Sequence, residues 1–296
     1  MKVVLFCGGL GTRLKEYSET IPKPMVDIGY RPIIWHLMKY YAHFGHKDFI
    51  LCLGYRGDYI KRYFLDYDEC LSNDFVLSKG GQVVSLYNSD ISDWTITFVD
   101  TGLHSNIGQR LKAVEKHLEG EEVFMANYSD GLTDLNLSEY IDFFYQQNKI
   151  ASFLSVRPSQ SFHYVKFEKN GLVTDISPID RGDFFINGGF FIFKSEIFNY
   201  INEGEELVLE PFHRLIADNQ LVTYKNPCFW ACLDTYKEKK MIDELYEGGE
   251  PPWVVWEVYS QQPGRSIKTQ ADRTNGQQVQ LDRSNLVARY RTKEIP

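Results

Sequence analysis

The sequence has no hydrophobic run long enough to span a bilayer and no secretory signal, since its first apolar stretch, Val3–Cys7, leads directly into glycines. Its five cysteines are odd in number and lack the spacing of a disulfide framework or a zinc site. An excess of basic residues is also missing. The formal net charge of −8 argues against nucleic-acid and anionic-membrane partners. These absences predict a cytoplasmic protein with free thiols.

What is present is an alternation of buried strands and amphipathic helices through the first half of the 296 residues. Strands are predicted at 3–7, 48–53, 122–127 and 150–156, and helices at 33–44, 58–67, from about 108, and at 137–147. Strands that alternate with helices are typical of a parallel sheet with helical crossovers. The composition therefore predicts an α/β fold.

Three segments depart from this alternation. Residues 70–100 are predicted to form an insertion of three short strands at the edge of the sheet. After residue 160, Asn170-Gly171 predicts a hairpin turn, and 184–193 predicts one long apolar strand that contains Asn187-Gly188-Gly189. Residues 258–296 are rich in Gln, Arg, Asn and Ser, which predicts a tail that is either loosely ordered or packed on a neighbouring subunit.

The strongest functional signal is the glycine-rich segment Gly8–Arg13 that follows the first strand. Backbone N–H groups exposed by such a loop can bind an anion, and phosphate is the usual one. Two common phosphate loops are excluded: Leu14 stands where a Rossmann loop has its third glycine, and the Gly-Lys-Ser/Thr of a Walker loop is absent. Arg13, and Lys23 between two prolines, add two cations beside the loop. Together they predict a phosphate-binding site of another kind.

This opening pattern resembles the sugar-1-phosphate nucleotidyltransferase family, which has Gly-Gly-x-Gly-Thr-Arg-Leu followed by Pro-Lys-Pro-Met. Supporting stretches include Val99–Gly102, Gly108–Lys112, Ile186–Phe191 and Asp234-Thr235. The resemblance covers residues 1–257 and is strongest to the branch that transfers CMP from CTP to glucose-1-phosphate. It implies a Rossmann-like mixed, mainly parallel sheet flanked by helices, with a nucleotide-binding core over about 1–156. A smaller β-rich sugar-binding part is implied over about 157–257.

The implied reaction joins a nucleoside triphosphate to a sugar-1-phosphate and releases pyrophosphate. Bringing two anionic groups together calls for cations and a metal rather than a nucleophilic side chain. The resemblance implies Arg13 and Lys23 as catalytic cations and Asp130 and Asp234 as ligands of Mg²⁺. The implied nucleotide-binding residues are Gly8, Gly9, Leu10, Gly11, Thr12 and Arg13, with Gly108, Arg110 and Ser129 near the base and ribose.

The sugar half departs from the family pattern. The family has Glu-Lys-Pro before the Asn-Gly-Gly segment, with the lysine on the sugar phosphate, but the corresponding stretch here is Ile176–Arg181 and lacks both charged residues. His163 stands where the family has a glycine beside the sugar. We hypothesise that Lys166 or Arg181 supplies the phosphate cation. The predicted sugar-binding residues are Asn187, Gly188, Lys166, Arg181 and His163.

Three functional interpretations remain open. The first is a Mg²⁺-dependent transferase of CMP from CTP to a sugar-1-phosphate, with glucose-1-phosphate as the default acceptor. The second uses dTTP, UTP or GTP, or a different phosphorylated sugar. The third is a catalytically silent nucleotide-sugar-binding or regulatory protein, suggested by the missing Glu-Lys pair. The presence of Arg13, Lys23, Asp130 and Asp234 favours an enzyme, and the resemblance and aromatic content together predict a homo-oligomer.

Overall fold

A mixed sheet of eight strands runs through the centre of the protein. The computed structural model describes residues 1–9, 21–158, 162–179 and 182–258, together with the backbone of 268–269 and 279–282. The strands are β1 (Val3–Phe6), β2 (Asp27–Ile28), β3 (Arg31–Pro32), β4 (Asp48–Leu53), β5 (Phe75–Ser78), β6 (Val83–Leu86), β7 (Thr95–Asp100), β8 (Val123–Tyr128), β9 (Gly131–Thr133), β10 (Ala151–Val156), β11 (His163–Phe167), β12 (Val173–Pro178), β13 (Ile186–Asn187), β14 (Phe191–Lys194), β15 (Leu221–Lys225), β16 (Trp230–Cys232), β17 (Glu257–Val258), β18 (Lys268–Thr269) and β19 (Val279–Asp282).

Helices flank this sheet on both faces. The α-helices are α1 (Ile33–His43), α2 (Gly57–Leu65), α3 (Ile107–Ala113), α4 (Leu137–Gln147), α5 (Glu210–Ala217) and α6 (Tyr236–Glu247). Short 3-10 helices span Lys23–Met25, Glu69–Leu71, Lys79–Gly81, Glu115–Leu118 and Ser195–Tyr200. The predicted Rossmann-like architecture, with a mainly parallel sheet between helices, is confirmed.

The register of the sheet places three strand ends side by side. β1 pairs in parallel with β4 on one side and β8 on the other, so that Phe6 lies opposite both Cys52 and Tyr128. β14 then pairs antiparallel with β8 and with β10, which itself pairs in parallel with β15. Because parallel strands end at the same edge, the segments after β1, β4 and β8 meet there. This edge carries the candidate site.

Two apolar cores hold the helices against the sheet. One face buries α1 and α4, and the other buries α3 and α5. The alternation along β1 explains the division, since Val3 and Leu5 point into the first core and Val4 and Phe6 into the second. Each fully buried side chain of this size stabilises the fold by roughly 1.5–3 kcal/mol. The long apolar runs of the sequence are therefore the reason that the sheet is central.

Two strand predictions differ from the structure, one in its placement and one in its extent. The strand predicted at 95–99 is present as β7, but it belongs to the central sheet rather than to an insertion, because β7 pairs in parallel with β4 and forms the edge of that sheet. The strands β5 and β6 form a separate hairpin. The strand predicted at 184–193 is interrupted at 188–190. Gly189 and Phe190 take left-handed conformations, with φ of 78° and 50°. The Asn127 side chain accepts a bond from the Phe190 N–H and fixes this bulge.

The described part of the chain contains no helix that is long and apolar enough to cross a membrane. All five cysteines are free thiols, and burial raises the pKa of Cys7 to about 12, so that this thiol stays protonated. Two short pieces of the predicted tail pair with the body of the chain: β18 pairs with β17, and β19 pairs with β6.

Candidate active site

A cavity of about 320 Å³ opens at the sheet edge where β1 and β8 end. The glycine segment after β1 forms one wall and the residues after β8 form another. It is lined by Phe6, Cys7, Gly8, Gly9, Lys23, Pro24, Ser105, Asn106, Ile107, Arg110, Tyr128, Ser129, Asp130, Glu206 and Asp234. Seven of the residues predicted to bind the nucleotide, the metal or the reacting phosphates therefore share one cavity.

A small two-stranded sheet brings the two predicted metal ligands together. β9 and β16 pair antiparallel with Gly131 opposite Cys232, so the next residues on each side approach one another. The Leu233 N–H donates to the Asp130 carbonyl at 2.9 Å, which closes this end of the pair. Asp234 is held from the other side, where its N–H donates to Glu238 at the start of α6. Residues about 100 positions apart thus present neighbouring carboxylates.

The Lys23 ammonium lies between these carboxylates and forms ion pairs with both Asp130 and Asp234. Burial alone would lower the pKa of Lys23, but the two carboxylates, Asp130 ahead of Asp234, raise it above its usual value. The lysine is therefore charged over the physiological range. The two carboxylates therefore converge on one cation, the Lys23 ammonium. Among the described residues, no group of three or more His, Cys, Asp or Glu side chains forms a metal site.

Arg110 lies beneath the glycine segment and is almost fully buried, with only 2% of its surface exposed to solvent. Its guanidinium donates to the carbonyls of Gly8 at 3.0 Å, Leu53 at 3.1 Å and Gly102 at 2.9 Å, and to the Thr101 hydroxyl at 2.7 Å. A Cβ atom at Gly8 would come within 2.1 Å of this guanidinium. Arg110 therefore joins the ends of β1, β4 and β7, and it requires glycine at position 8.

We expect Arg110→Met to lower the free energy of unfolding by about 2–4 kcal/mol, since it leaves several buried acceptors without a donor. Urea denaturation measures the change. Arg62→Met, on the exposed surface of α2, is the matched control and should unfold close to the wild type. Equal unfolding midpoints for the two variants would contradict the structural role of Arg110.

Two other residues predicted to bind the nucleotide, Ser129 and Gly108, also pack against other parts of the protein. The Ser129 hydroxyl donates to the Phe6 carbonyl at 2.8 Å, which ties β8 to β1 below the cavity. Gly108 lies in the first turn of α3, where a Cβ atom would come within 2.2 Å of the Glu205 carbonyl. This steric contact is enough to explain why position 108 is a glycine, and a bound ligand is not needed for that explanation. Ser129 lines the first cavity, whereas Gly108 is not among the described residues that line it.

A second cavity, of about 410 Å³, lies beside the first and contains the Asn-Gly-Gly segment. It is lined by Lys23, Asn127, Tyr128, Asp130, Gly131, Ile186, Asn187, Gly188, Trp230, Cys232 and Asp234. Gly188 forms part of its wall, and its carbonyl accepts from the Trp230 indole at 2.9 Å. The predicted sugar-binding residues Asn187 and Gly188 thus line a cavity adjacent to the predicted metal ligands.

The other predicted sugar-binding residues are placed differently. His163 and Lys166 lie on the exposed β11–β12 hairpin, and neither is among the described residues that line the second cavity. The Lys166 ammonium is 3.6 Å from Asp175 across the hairpin. The remaining predicted site residues lie outside the described residues, and these are Leu10, Gly11, Thr12, Arg13 and Arg181.

The structure adds cavity residues that sequence reasoning missed. Tyr128 lines both cavities, Trp230 lines the second, and Glu206 and Ser105 line the first. Tyr128 could have been found from its position directly before the Ser129-Asp130 pair, at the end of a predicted strand. Glu206 carries no local signal, because its place depends on packing between the segment before α5 and the start of α3.

A Rossmann-like sheet with a glycine segment, a lysine and two carboxylates at its carboxyl edge defines a nucleotide-binding transferase site. Residues 2–234 match the nucleotidyl transferase family, and the chain belongs to this family.

Named relatives agree with this assignment. The chain is 37% identical over 259 residues to glucose-1-phosphate cytidylyltransferase of Salmonella typhi, covering 87% of this chain and 100% of the relative. It is 36% identical over 259 residues to the probable glucose-1-phosphate cytidylyltransferase of Bacillus subtilis, covering 86% and 100%. The solved structure of HddC from Yersinia pseudotuberculosis shares the fold, with a TM-score of 0.58, 20% identity and coverage of 83% of this chain and 99% of that one.

Proposed function

We propose that this protein transfers a nucleotidyl group, CMP from CTP, to glucose-1-phosphate and releases pyrophosphate. The observation that carries the proposal is that two adjacent cavities share Lys23, Asp130 and Asp234. A reaction between two bound phosphates needs one point at which both ligands meet, with positive charge close to it. The choice of CTP and glucose-1-phosphate rests on the named cytidylyltransferase relatives.

Each half of the site has a role in the proposed reaction. The nucleotide occupies the first cavity, where Gly8 and Gly9 face its phosphates, and the sugar phosphate occupies the second, beside Asn187 and Gly188. The acceptor phosphate is already anionic near neutral pH, so no side chain has to remove a proton from it. The protein's task is to align an acceptor oxygen with the α-phosphorus and to neutralise charge.

Mg²⁺ is the proposed metal, and the donor set fits it. Hard divalent cations prefer carboxylate, phosphate and water oxygens, and Asp130 and Asp234 offer two carboxylates aimed at one point. When bound, the ion would neutralise the reacting phosphates and polarise the α-phosphoryl group. Lys23 then binds a phosphate oxygen in exchange for its carboxylate partners. Arg13, beside the glycine segment in the sequence, is proposed as the cation for the pyrophosphate end.

A silent nucleotide-sugar binder is the second candidate, and one observation favours it. Ser177 and Pro178 belong to the exposed hairpin strand β12, in the stretch where the family has its Glu-Lys pair, and neither is charged. A protein that only bound nucleotide sugars would have no need of an acceptor-phosphate cation. It would equally have no need of two carboxylates that converge on one cation, and for that reason we favour the enzyme.

Pyrophosphate release decides between these candidates. The protein is incubated with Mg²⁺ and each of CTP, UTP, dTTP and GTP, paired with glucose-1-phosphate and with other sugar-1-phosphates. We expect the largest kcat/KM with CTP and glucose-1-phosphate, and loss of the signal when a chelator is added. Release that is fastest with another pair would revise the substrates. Absence of release with every pair, together with tight binding of CDP-glucose, would establish the silent binder.

A further inference from the structure

Tyr128 lies at the boundary between the two cavities. Four described residues line both: Lys23, Asp130, Asp234 and Tyr128. The first three are the charged groups of the proposed reaction. Tyr128 is the one neutral side chain in this shared set, and the proposed mechanism assigns it no part.

The ring of Tyr128 is held in place by other aromatic rings. Its centroid is 5.5 Å from that of Phe191 in an edge-to-face arrangement, and 6.3 Å from that of Phe6. Both contacts come from strands of the central sheet, so the phenol is carried by a rigid element rather than by a loop. A side chain fixed in this way can hold its hydroxyl at a constant position between two ligands.

The hydroxyl of a tyrosine carries its proton near neutral pH, because the ordinary pKa of a phenol is about 10. A phenol in this state carries a proton to donate and cannot act as a base near neutral pH. Phosphate oxygens are acceptors only. The chemistry of the hydroxyl therefore matches a phosphate.

Among the described residues, few side chains that line the second cavity can donate to that phosphate, and the amide nitrogen of Asn127, which is one of them, is buried. Among the described residues that line it, Lys23 is the only cation, and its ammonium is held by two carboxylates. The Trp230 indole already donates to the Gly188 carbonyl, and the side-chain amide oxygen of Asn187 accepts from the Gly189 N–H. Asn187 also lies against Tyr128, which connects the phenol to the predicted sugar-binding segment.

We propose that the Tyr128 hydroxyl donates a hydrogen bond to the phosphate of the sugar-1-phosphate and holds it against the bound nucleotide. The inference rests on the proposed function and deepens it, because it assigns a neutral donor where the chain lacks the family's lysine. The proton stays on the tyrosine throughout. The group thus fixes the acceptor and takes no part in bond making.

Tyr128→Phe tests this role, since it removes only the hydroxyl. A hydrogen bond to a charged acceptor supports an expected loss of about 10- to 100-fold in kcat/KM for glucose-1-phosphate. The KM for CTP should stay within about twofold, which a general loss of structure would not permit. Tyr200→Phe is the matched control: it removes a phenol bonded to Asp218 at 2.9 Å outside both cavities, and it should leave both constants unchanged.

Two results would overturn the inference. One is a Tyr128→Phe enzyme with wild-type kcat/KM for glucose-1-phosphate, and the other is an equal loss for both substrates. If the wild type releases no pyrophosphate, the proposed function fails, and binding of CDP-glucose by calorimetry then tests Tyr128. A weaker Kd for Tyr128→Phe but not for Tyr200→Phe would support the contact, and equal Kd values would refute it.

Discussion

Replacing Asp234 by asparagine is expected to lower kcat/KM for pyrophosphate release by about 10³-fold at saturating Mg²⁺. The change removes one of the two carboxylates that converge on a single cation, while the shape of the side chain is preserved. The fold should be unaffected, because the backbone N–H of Asp234 still donates to Glu238. Steady-state kinetics measure the loss, and a Mg²⁺ titration should show a higher concentration for half-maximal rate.

Asp243→Asn is the matched control. Asp243 also pairs with a lysine, Lys239, but it does so along α6 and outside both cavities. Its variant should keep wild-type kcat/KM and wild-type dependence on Mg²⁺. If Asp234→Asn also kept activity within about tenfold of the wild type, Asp234 could not be a ligand of an essential metal, and the proposed metal site would be wrong.

The elements that were predicted correctly are those whose own short stretch of sequence indicates their structure. β1, β4, β8 and β10 are nearly continuous apolar runs, and such runs are typical of strands buried on both faces. β7 has a weaker pattern, since its residues are half-buried or exposed, and its partner β4 lies more than 40 positions away. Pairing with β4, rather than any property of the segment, places β7 in the sheet.

The site divides in the same way. Lys23, Asp130 and Asp234 could be proposed from motifs, and the structure brings them into contact. The sequence alone could not show that the Arg110 guanidinium is buried among carbonyls, because its partners belong to three separate segments of the chain. The interruption at Gly189 was equally hidden, since it depends on the Asn127 side chain from another strand. Features that depend on contacts between residues far apart in the chain cannot be predicted from a short stretch of sequence.

Replacing Lys23 by methionine is expected to have two opposite effects. Pyrophosphate release should fall by at least about 10³-fold, because the substitution removes a cation that balances charge on the reacting phosphates. Binding of a divalent ion to the protein without nucleotide should become tighter by about tenfold or more. The reason is that the substitution removes the ammonium that lies between Asp130 and Asp234, so that a metal no longer has to displace it. Paramagnetic resonance of Mn²⁺ measures the free and bound ion directly.

Lys39→Met is the control for this gain in metal binding, since the Lys39 ammonium also pairs with a largely buried carboxylate, that of Asp90, at 3.0 Å. It removes a lysine from an ion pair outside both cavities and should leave Mn²⁺ binding unchanged. If wild type and Lys23→Met bound Mn²⁺ equally well without nucleotide, the ammonium would not occupy the metal position. A tighter site in Lys23→Met alone would mean that the lysine holds the carboxylates apart from metal until a phosphate draws it away, which makes metal binding depend on the nucleotide.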